Sequence, residues 1–209
     1  MNNFLDEEYP RKLRSKFPSI INVAFEATNQ FMEFDEILRW EVGRELKPYF
    51  RRIAVEHQFV KMIKNNRLDL TYQIKQNVGK NCSHVEIYNK NSILTINHVQ
   101  YKHQLAPDAR FRSNIALRTQ LSLFQESEEE TVEDDKYYLQ LIYGGDELPD
   151  FIILGIPDPT LKKWIDSRSL LEEIYVTQMN LKEEFEKESI VELKEFLKDK
   201  KDNLKNGNF

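Results

Sequence analysis

The stretch "SHVEIYNKNSILTINHV", residues 83–99, decides the fold. Apolar and polar residues alternate on both sides of its polar "NKN", and strict alternation is typical of a half-buried strand. A two-residue turn inside "NKN" pairs Ile87 with Leu94 and Val85 with Ile96, which predicts an antiparallel hairpin. These four apolar side chains then share one face. The opposite face carries four polar side chains: His84, Glu86, Thr95 and Asn97.

Helical patterns precede this hairpin. Apolar residues recur at helical spacing in "FPSIINVAFEATNQF", residues 17–31, and Asp35 is placed to cap a second helical pattern. The apolar stripe of that second pattern consists of Leu38, Val42, Leu46, Tyr49, Ile53 and Val60. Pro48 lacks a backbone N–H and predicts a break near Lys47. The alternating "LDLTYQIK", residues 68–75, then predicts a first strand.

Two further strands and a helical segment follow the hairpin. Residues 105–124 show no regular period, whereas "YYLQLIY" and "FIILGIP" are apolar on both faces and predict central strands. Trp164 is expected in a short turn, and an amphipathic helical pattern begins after Ser169. Short connections favour antiparallel pairing. The sequence therefore predicts an α+β fold: a mainly antiparallel sheet of about five strands, N-terminal helices and a C-terminal amphipathic helical segment. Residues 1–166 would form the domain and residues 167–209 the helical segment.

Composition excludes several classes of protein. The chain has 209 residues and a single cysteine, so it has neither an internal disulfide framework nor a cysteine-rich zinc motif. The N-terminus lacks the apolar core of a signal peptide, and no apolar run approaches the length of a membrane helix. We therefore expect a cytoplasmic protein without membrane contact. No nucleotide-binding or metallopeptidase motif occurs, and no cofactor or metal is predicted.

The charges divide the chain into two parts. Residues 1–120 contain 19 Lys and Arg against 13 Asp and Glu, a balance of +6; residues 121–209 contain 11 against 22, a balance of −11. A basic middle segment predicts contact with nucleic acid or a protein partner. Its candidate nucleic-acid-binding residues are Lys102, His103, Arg110, Phe111, Arg112 and Arg118, because arginines bind phosphates and an aromatic ring can stack on a base. The acidic block Glu126–Asp135 would either mask this segment or pair with it.

Two alternative functions remain open. His84 and Glu86 lie two residues apart on one strand face, so Glu86 could orient His84 in a general acid–base pair of a nuclease-like hydrolase. Glu86 followed by Gln100 and Lys102 loosely resembles the acidic and lysine positions of restriction-endonuclease-type enzymes. Strand alternation, however, places Gln100 and Lys102 on the face opposite Glu86. The second alternative is a homodimeric interaction protein, in which Leu193 and Phe196 of the C-terminal apolar stripe form the interface.

Overall fold

The computed structural model describes residues 4–77, 80, 82–107, 109–124 and 136–173, with the helix path alone for residues 118–124. The N-terminal helices are α1 Phe4–Glu8, α2 Arg11–Arg14, α3 Phe17–Met32, α4 Glu36–Arg39, α5 Glu41–Arg44 and α6 Lys47–Lys64. The strands are β1 Thr71–Gln76, β2 Ser83–Tyr88, β3 Ser92–His98, β4 Tyr137–Gly144, β5 Phe151–Pro157 and β6 Trp164–Ser169. Helix α7, Arg110–Phe124, lies between β3 and β4 in the chain.

The described strands form one mixed sheet in the order β1-β2-β3-β4-β5-β6. Neighbouring strands are antiparallel except β3 and β4, which pair in parallel from Ser92–Tyr137 to His98–Tyr143. Parallel neighbours require a crossover, and α7 supplies it. The predicted, mainly antiparallel sheet therefore contains one parallel pair, because residues 110–124 form a helix where the sequence showed no regular period.

The predicted hairpin register is confirmed in its central part. Ile87 pairs with Leu94, and the Asn89 N–H donates to the Ser92 carbonyl across the two-residue turn. The ladder ends at Glu86–Thr95, so Val85 and Ile96 do not pair as predicted. Instead, the backbone of Val85 hydrogen bonds to the Glu56 carboxylate of α6. The pairing of β2 and β3 thus ends where the Glu56 carboxylate accepts a hydrogen bond from the backbone of Val85.

The main core lies between the sheet and the N-terminal helices. Helices α3 and α6 pack on each other, with the Phe17 and Phe59 ring centroids 5.1 Å apart. Both helices bury apolar side chains against Val85, Ile87 and other inward residues of the sheet. The predicted stripe of the second helical region enters this core at Val60, but Val42, Leu46, Tyr49 and Ile53 are exposed. The rest of the buried face of α6 consists of Arg51, Val55, Gln58, Phe59, Met62 and Ile63.

Helix α7 covers the other face of the sheet. Its Ile115 and Ala116 pack with Ile93 of β3 and Tyr138 of β4, and Leu161 joins this second cluster. The two apolar strands are buried on both sides: all seven residues of β5 are buried. The sheet is therefore a middle layer between α3 and α6 on one side and α7 on the other.

The remaining expectations are met in outline. The class is α+β with a mostly antiparallel sheet and N-terminal helices. A sixth strand, β6, replaces the turn expected at Trp164, and it runs across the predicted boundary at residue 166. Pro48 lies in the first turn of α6, so the break predicted near Lys47 is confirmed. Within the described part of the chain, no helix is long and apolar enough to cross a membrane.

The hairpin register generates a stability test. Ile87 is fully buried, whereas Ile74 on the neighbouring strand β1 is 65% exposed. Replacement of Ile87 by Asp would bury an unpaired charge, so we expect loss of the cooperative thermal transition. The control Ile74→Asp should change the free energy of unfolding by less than about 0.5 kcal/mol. A folded Ile87→Asp variant with an unchanged melting temperature would contradict the register.

Candidate functional site

Glu86 is the centre of a buried polar group on the face that α7 covers. It is 3% exposed and lies beneath three donors from β1 and β2. The His84 Nε2 atom lies 3.2 Å from Glu86 Oε1, the Tyr88 hydroxyl donates to Oε2 at 2.5 Å, and the Lys75 Nζ atom lies 2.9 Å from Oε2. Strand alternation explains the convergence, because His84, Glu86 and Tyr88 point to one face of β2.

These donors determine the charge of Glu86. Burial alone would raise its pKa, but hydrogen bonds from His84, Tyr88 and Lys75 hold the pKa at about 2. The carboxyl group is therefore ionised throughout the physiological pH range. A carboxylate with so low a pKa is a poor proton acceptor near neutral pH, and its geometry is that of a group that orients His84.

Helix α7 closes over this group through Phe111 and Arg112. The Phe111 ring stacks on the His84 imidazole with 3.9 Å between ring centroids, and His84 is only 9% exposed. Arg112 donates to the Asn97 side-chain oxygen from Nε at 3.1 Å and from Nη2 at 2.6 Å. The structure thus joins the two sets of residues that the sequence had presented separately, the histidine–glutamate pair and the arginine segment.

A chain of neutral polar groups continues from Arg112 across the sheet. Asn97 donates to Thr95 at 3.0 Å, and the Thr95 and Tyr138 hydroxyls lie 2.9 Å apart. Gln140 then donates to the Tyr138 hydroxyl and accepts from the backbone N–H of Ala106. Asn97, Thr95, Tyr138 and Gln140 thus all have hydrogen-bond partners, as is usual for buried polar side chains. This network fixes the start of α7 on the sheet.

Glu56 approaches from the opposite side, where β2 and β3 separate. Its pKa is raised, chiefly by burial and against the opposing effects of Arg52, His84 and Arg112. Sequence reasoning missed this residue, because a glutamate on a helix carries no signal until the separated strands expose a backbone N–H to it. Two carboxyl groups with opposite pKa shifts therefore flank His84.

The arrangement gives limited support to a hydrolase. His84 is oriented by a carboxylate, as a general base requires, but the Phe111 ring covers it. Gln100 and Lys102 follow the end of β3 and do not lie on a strand. Among the described residues, no group of three or more His, Cys, Asp and Glu side chains could hold a metal ion. Hydrolysis by His84 and Glu86 stays a prediction.

The basic middle segment is spread over different environments. Lys102 pairs with Glu172 at 3.1 Å, and Arg112 is used by Asn97 and the Pro107 carbonyl. His103 and Arg110 are exposed to solvent. Arg118 lies in α7, and its side chain is outside the described part of the structure. Nucleic-acid binding by these residues stays a prediction.

Two other predicted elements cannot be placed. Leu193 and Phe196, the predicted interface residues, lie outside the described residues, as does the acidic block Glu126–Asp135. The predictions of a C-terminal interface and of masking by the acidic block remain predictions.

An exposed apolar surface lies at the end of the α3–α6 pair. Seven large apolar side chains between residues 34 and 53 are 44–71% exposed. This apolar surface consists of Phe34, Ile37, Trp40, Val42, Leu46, Tyr49 and Ile53. Leu46, Tyr49 and Ile53 have the i, i+3, i+7 spacing of one helix face, and the other four lie on the short segment that joins α3 to α6.

The joining segment is held in a defined shape. The Asp35 carboxylate accepts from the Ile37 backbone N–H at 2.9 Å and caps α4. Gly43 packs so closely under α4 that an added Cβ would lie 1.9 Å from the Ile37 carbonyl oxygen. The Phe31 and Phe50 rings, 4.6 Å apart, join the adjacent ends of α3 and α6. Ile37 and Trp40, with Glu36 and Arg39, line a groove of about 590 Å³.

The exposed area of this surface is larger than that of the apolar patches on most monomeric proteins. At roughly 200 Å² for each fully exposed large side chain, the exposed fractions correspond to about 700–800 Å². The largest apolar patch on a typical monomer is about 300–600 Å². The sequence signal was present as the apolar stripe of the second helical region, but periodicity shows an apolar face without showing what covers it.

The opposite pKa shifts of the two carboxyl groups generate a paired test. Glu86→Gln removes the charge that His84, Tyr88 and Lys75 neutralise, and we expect a loss of about 3 kcal/mol in unfolding free energy at pH 7, from a pKa of 4.5 lowered to about 2. In Glu56→Gln a neutral group replaces a carboxyl whose ionised form burial disfavours, so stability should be unchanged or higher. Denaturant unfolding of both variants measures the difference. Equal losses would contradict the assignment.

The same carboxylate predicts a pH dependence. Because the pKa of Glu86 is lower in the folded state than in the unfolded state, its contribution is complete above about pH 4.5 and is lost as the pH falls toward 2. The stability difference between the wild type and Glu86→Gln should therefore shrink between pH 5 and pH 3. A difference that stays constant over this range would show that Glu86 does not titrate as described.

Comparisons with known proteins leave the function to be argued from these features. The chain matches no protein-family model, no curated protein and no solved structure. The buried polar group and the exposed apolar surface are therefore the two observations from which a function can be inferred.

Proposed function

We propose that this protein acts by binding another protein chain through the apolar surface formed by residues 34–53. The observation that carries the proposal is the exposure of seven large apolar side chains on a segment whose backbone is held by a cap and a close helix contact. Apolar surface concentrated in one segment is typical of interaction sites and costs free energy in water when it is left uncovered.

The surrounding charges favour a protein partner over an anionic membrane. Within residues 33–46, which are all described, the exposed charged side chains are five acids and two arginines. The acids are Glu33, Asp35, Glu36, Glu41 and Glu45, and the arginines are Arg39 and Arg44. Membrane-binding helices usually carry Lys and Arg on their polar face, because bilayers are anionic. Nucleic acid is also anionic, so the excess of acids disfavours it at this surface as well.

A matched pair of positions tests the surface. Ile53 on α6 is 54% exposed, and Leu117 on α7, across the sheet, is 51% exposed. We expect a photo-crosslinking amino acid at Ile53, in cells that contain the protein at its natural level, to give protein adducts that the same group at Leu117 does not. Tyr49, 67% exposed on the same helix face, serves as a second position. Absence of protein adducts at both Ile53 and Tyr49 would overturn the proposal, as would adducts with lipid alone.

A further inference from the structure

We infer that the partner on the apolar surface is a second copy of this chain, bound about a two-fold axis; this inference rests on the proposed function. A two-fold interface uses the same patch on both copies, so one patch must carry both halves of every contact. The apolar surface meets this requirement in shape, in charge and in area.

The apolar surface carries both an open, shallow groove and exposed aromatic side chains, which are the two features that a self-complementary patch needs. The groove is lined by Glu36, Ile37, Arg39 and Trp40. Tyr49 projects from α6 with 67% of its surface exposed, and Trp40 is 63% exposed. In a two-fold dimer, an aromatic side chain of each copy can therefore enter the groove of the other copy. Buried aromatic anchors of this kind contribute most of the binding energy in many interfaces.

The charges also allow pairing of identical surfaces. Arg39 lies one helical turn from Glu36, and Arg44 lies one turn from Glu41, so cations alternate with acids along the joining segment. A two-fold axis that crosses this segment can bring each arginine close to an acid of the other copy, which offsets part of the repulsion between two surfaces that each carry five acids against two arginines. An acidic rim without arginines would repel its own copy, and it would fit a basic partner instead.

The area agrees with the association of two chains. The summed exposed area of the seven residues, about 700–800 Å² per copy, is close to the roughly 800 Å² that each partner buries in a standard interface. Polar atoms at the rim add to this value. The surface is thus large enough for a stable dimer without help from the C-terminal segment.

The mass of the purified full-length chain in solution tests the inference. We expect sedimentation equilibrium between 1 and 200 μM to give twice the chain mass of 25.0 kDa at the upper concentrations. Ile53→Asp and Tyr49→Asp should each raise the dissociation constant about thirty-fold or more, whereas Leu117→Asp should leave it unchanged. Because all three positions are exposed, the melting temperatures measured below the wild-type dissociation constant, where every variant is monomeric, should agree and exclude unfolding as the cause.

A charge variant distinguishes a second copy from a basic partner. Arg39→Glu combined with Arg44→Glu leaves only acids among the exposed charges of residues 33–46. Self-association should then weaken at low salt and recover at high salt, because screening reduces the repulsion between copies.

Failure of this inference is separable from failure of the proposed function. A chain that remains monomeric at 200 μM overturns the second copy as partner. If crosslinks from Ile53 then reach a different protein, binding through the apolar surface stands; if they reach no protein, both fall. A dimer that Leu117→Asp disrupts, and that Ile53→Asp does not, also overturns the inference, because the interface would lie on the α7 side.

Discussion

Burial of β4 and β5 on both faces is the constraint on which the rest of this structure depends. Leu139, Leu141, Ile152 and Leu154 face the core of α3 and α6, while Ile142 and Ile153 face the other side. A sheet with apolar residues on both faces must be covered twice. On the second face, α7 covers Ile93 and Tyr138, while Val99, Phe151 and Trp164 pack with Ile142 and Ile153. The place of α7 in the connection between β3 and β4 also allows those strands to be parallel.

Helix α7 covers the second face of the sheet, and this explains why Glu86 and its hydrogen-bond partners are buried there. Helix α7 packs on Ile93 and Tyr138, and its first turn extends over the polar half of β2 and β3. Desolvation of Glu86 would be costly without partners, so Lys75, Tyr88 and His84 surround it. The histidine–glutamate geometry is therefore explained by packing as well as by a general-base arrangement, and the contact between Phe111 and His84 holds α7 in place.

The parts of the fold that could be predicted depend on contacts between residues close in sequence, whereas the other parts depend on contacts between distant segments. Ile87 and Leu94 could be paired from sequence, because a two-residue turn and local alternation fix the register. Helix α7 could not be predicted, because its apolar residues do not fall on one helical face and its place is set by the sheet beneath it. The stripe at Leu46, Tyr49 and Ile53 was recognised as apolar, but its exposure depends on α6 turning Val55 and Phe59 toward α3. For the same reason, sequence analysis found His84 and Glu86 but neither Glu56 nor the apolar surface.

The crossover between β3 and β4 also affects how the chain reaches its native state. The hairpins β2–β3 and β4–β5 can close locally, but β3 ends at His98 and β4 begins at Tyr137, so their pairing must close a long loop. Until it does, a hairpin that is apolar on both faces is open to intermolecular association. The acidic block Glu126–Asp135, with seven acids in ten residues, stands directly before that hairpin in the chain. Charged residues beside an apolar strand oppose aggregation, so the seven acids would repel a second chain at the stage when this hairpin is still uncovered.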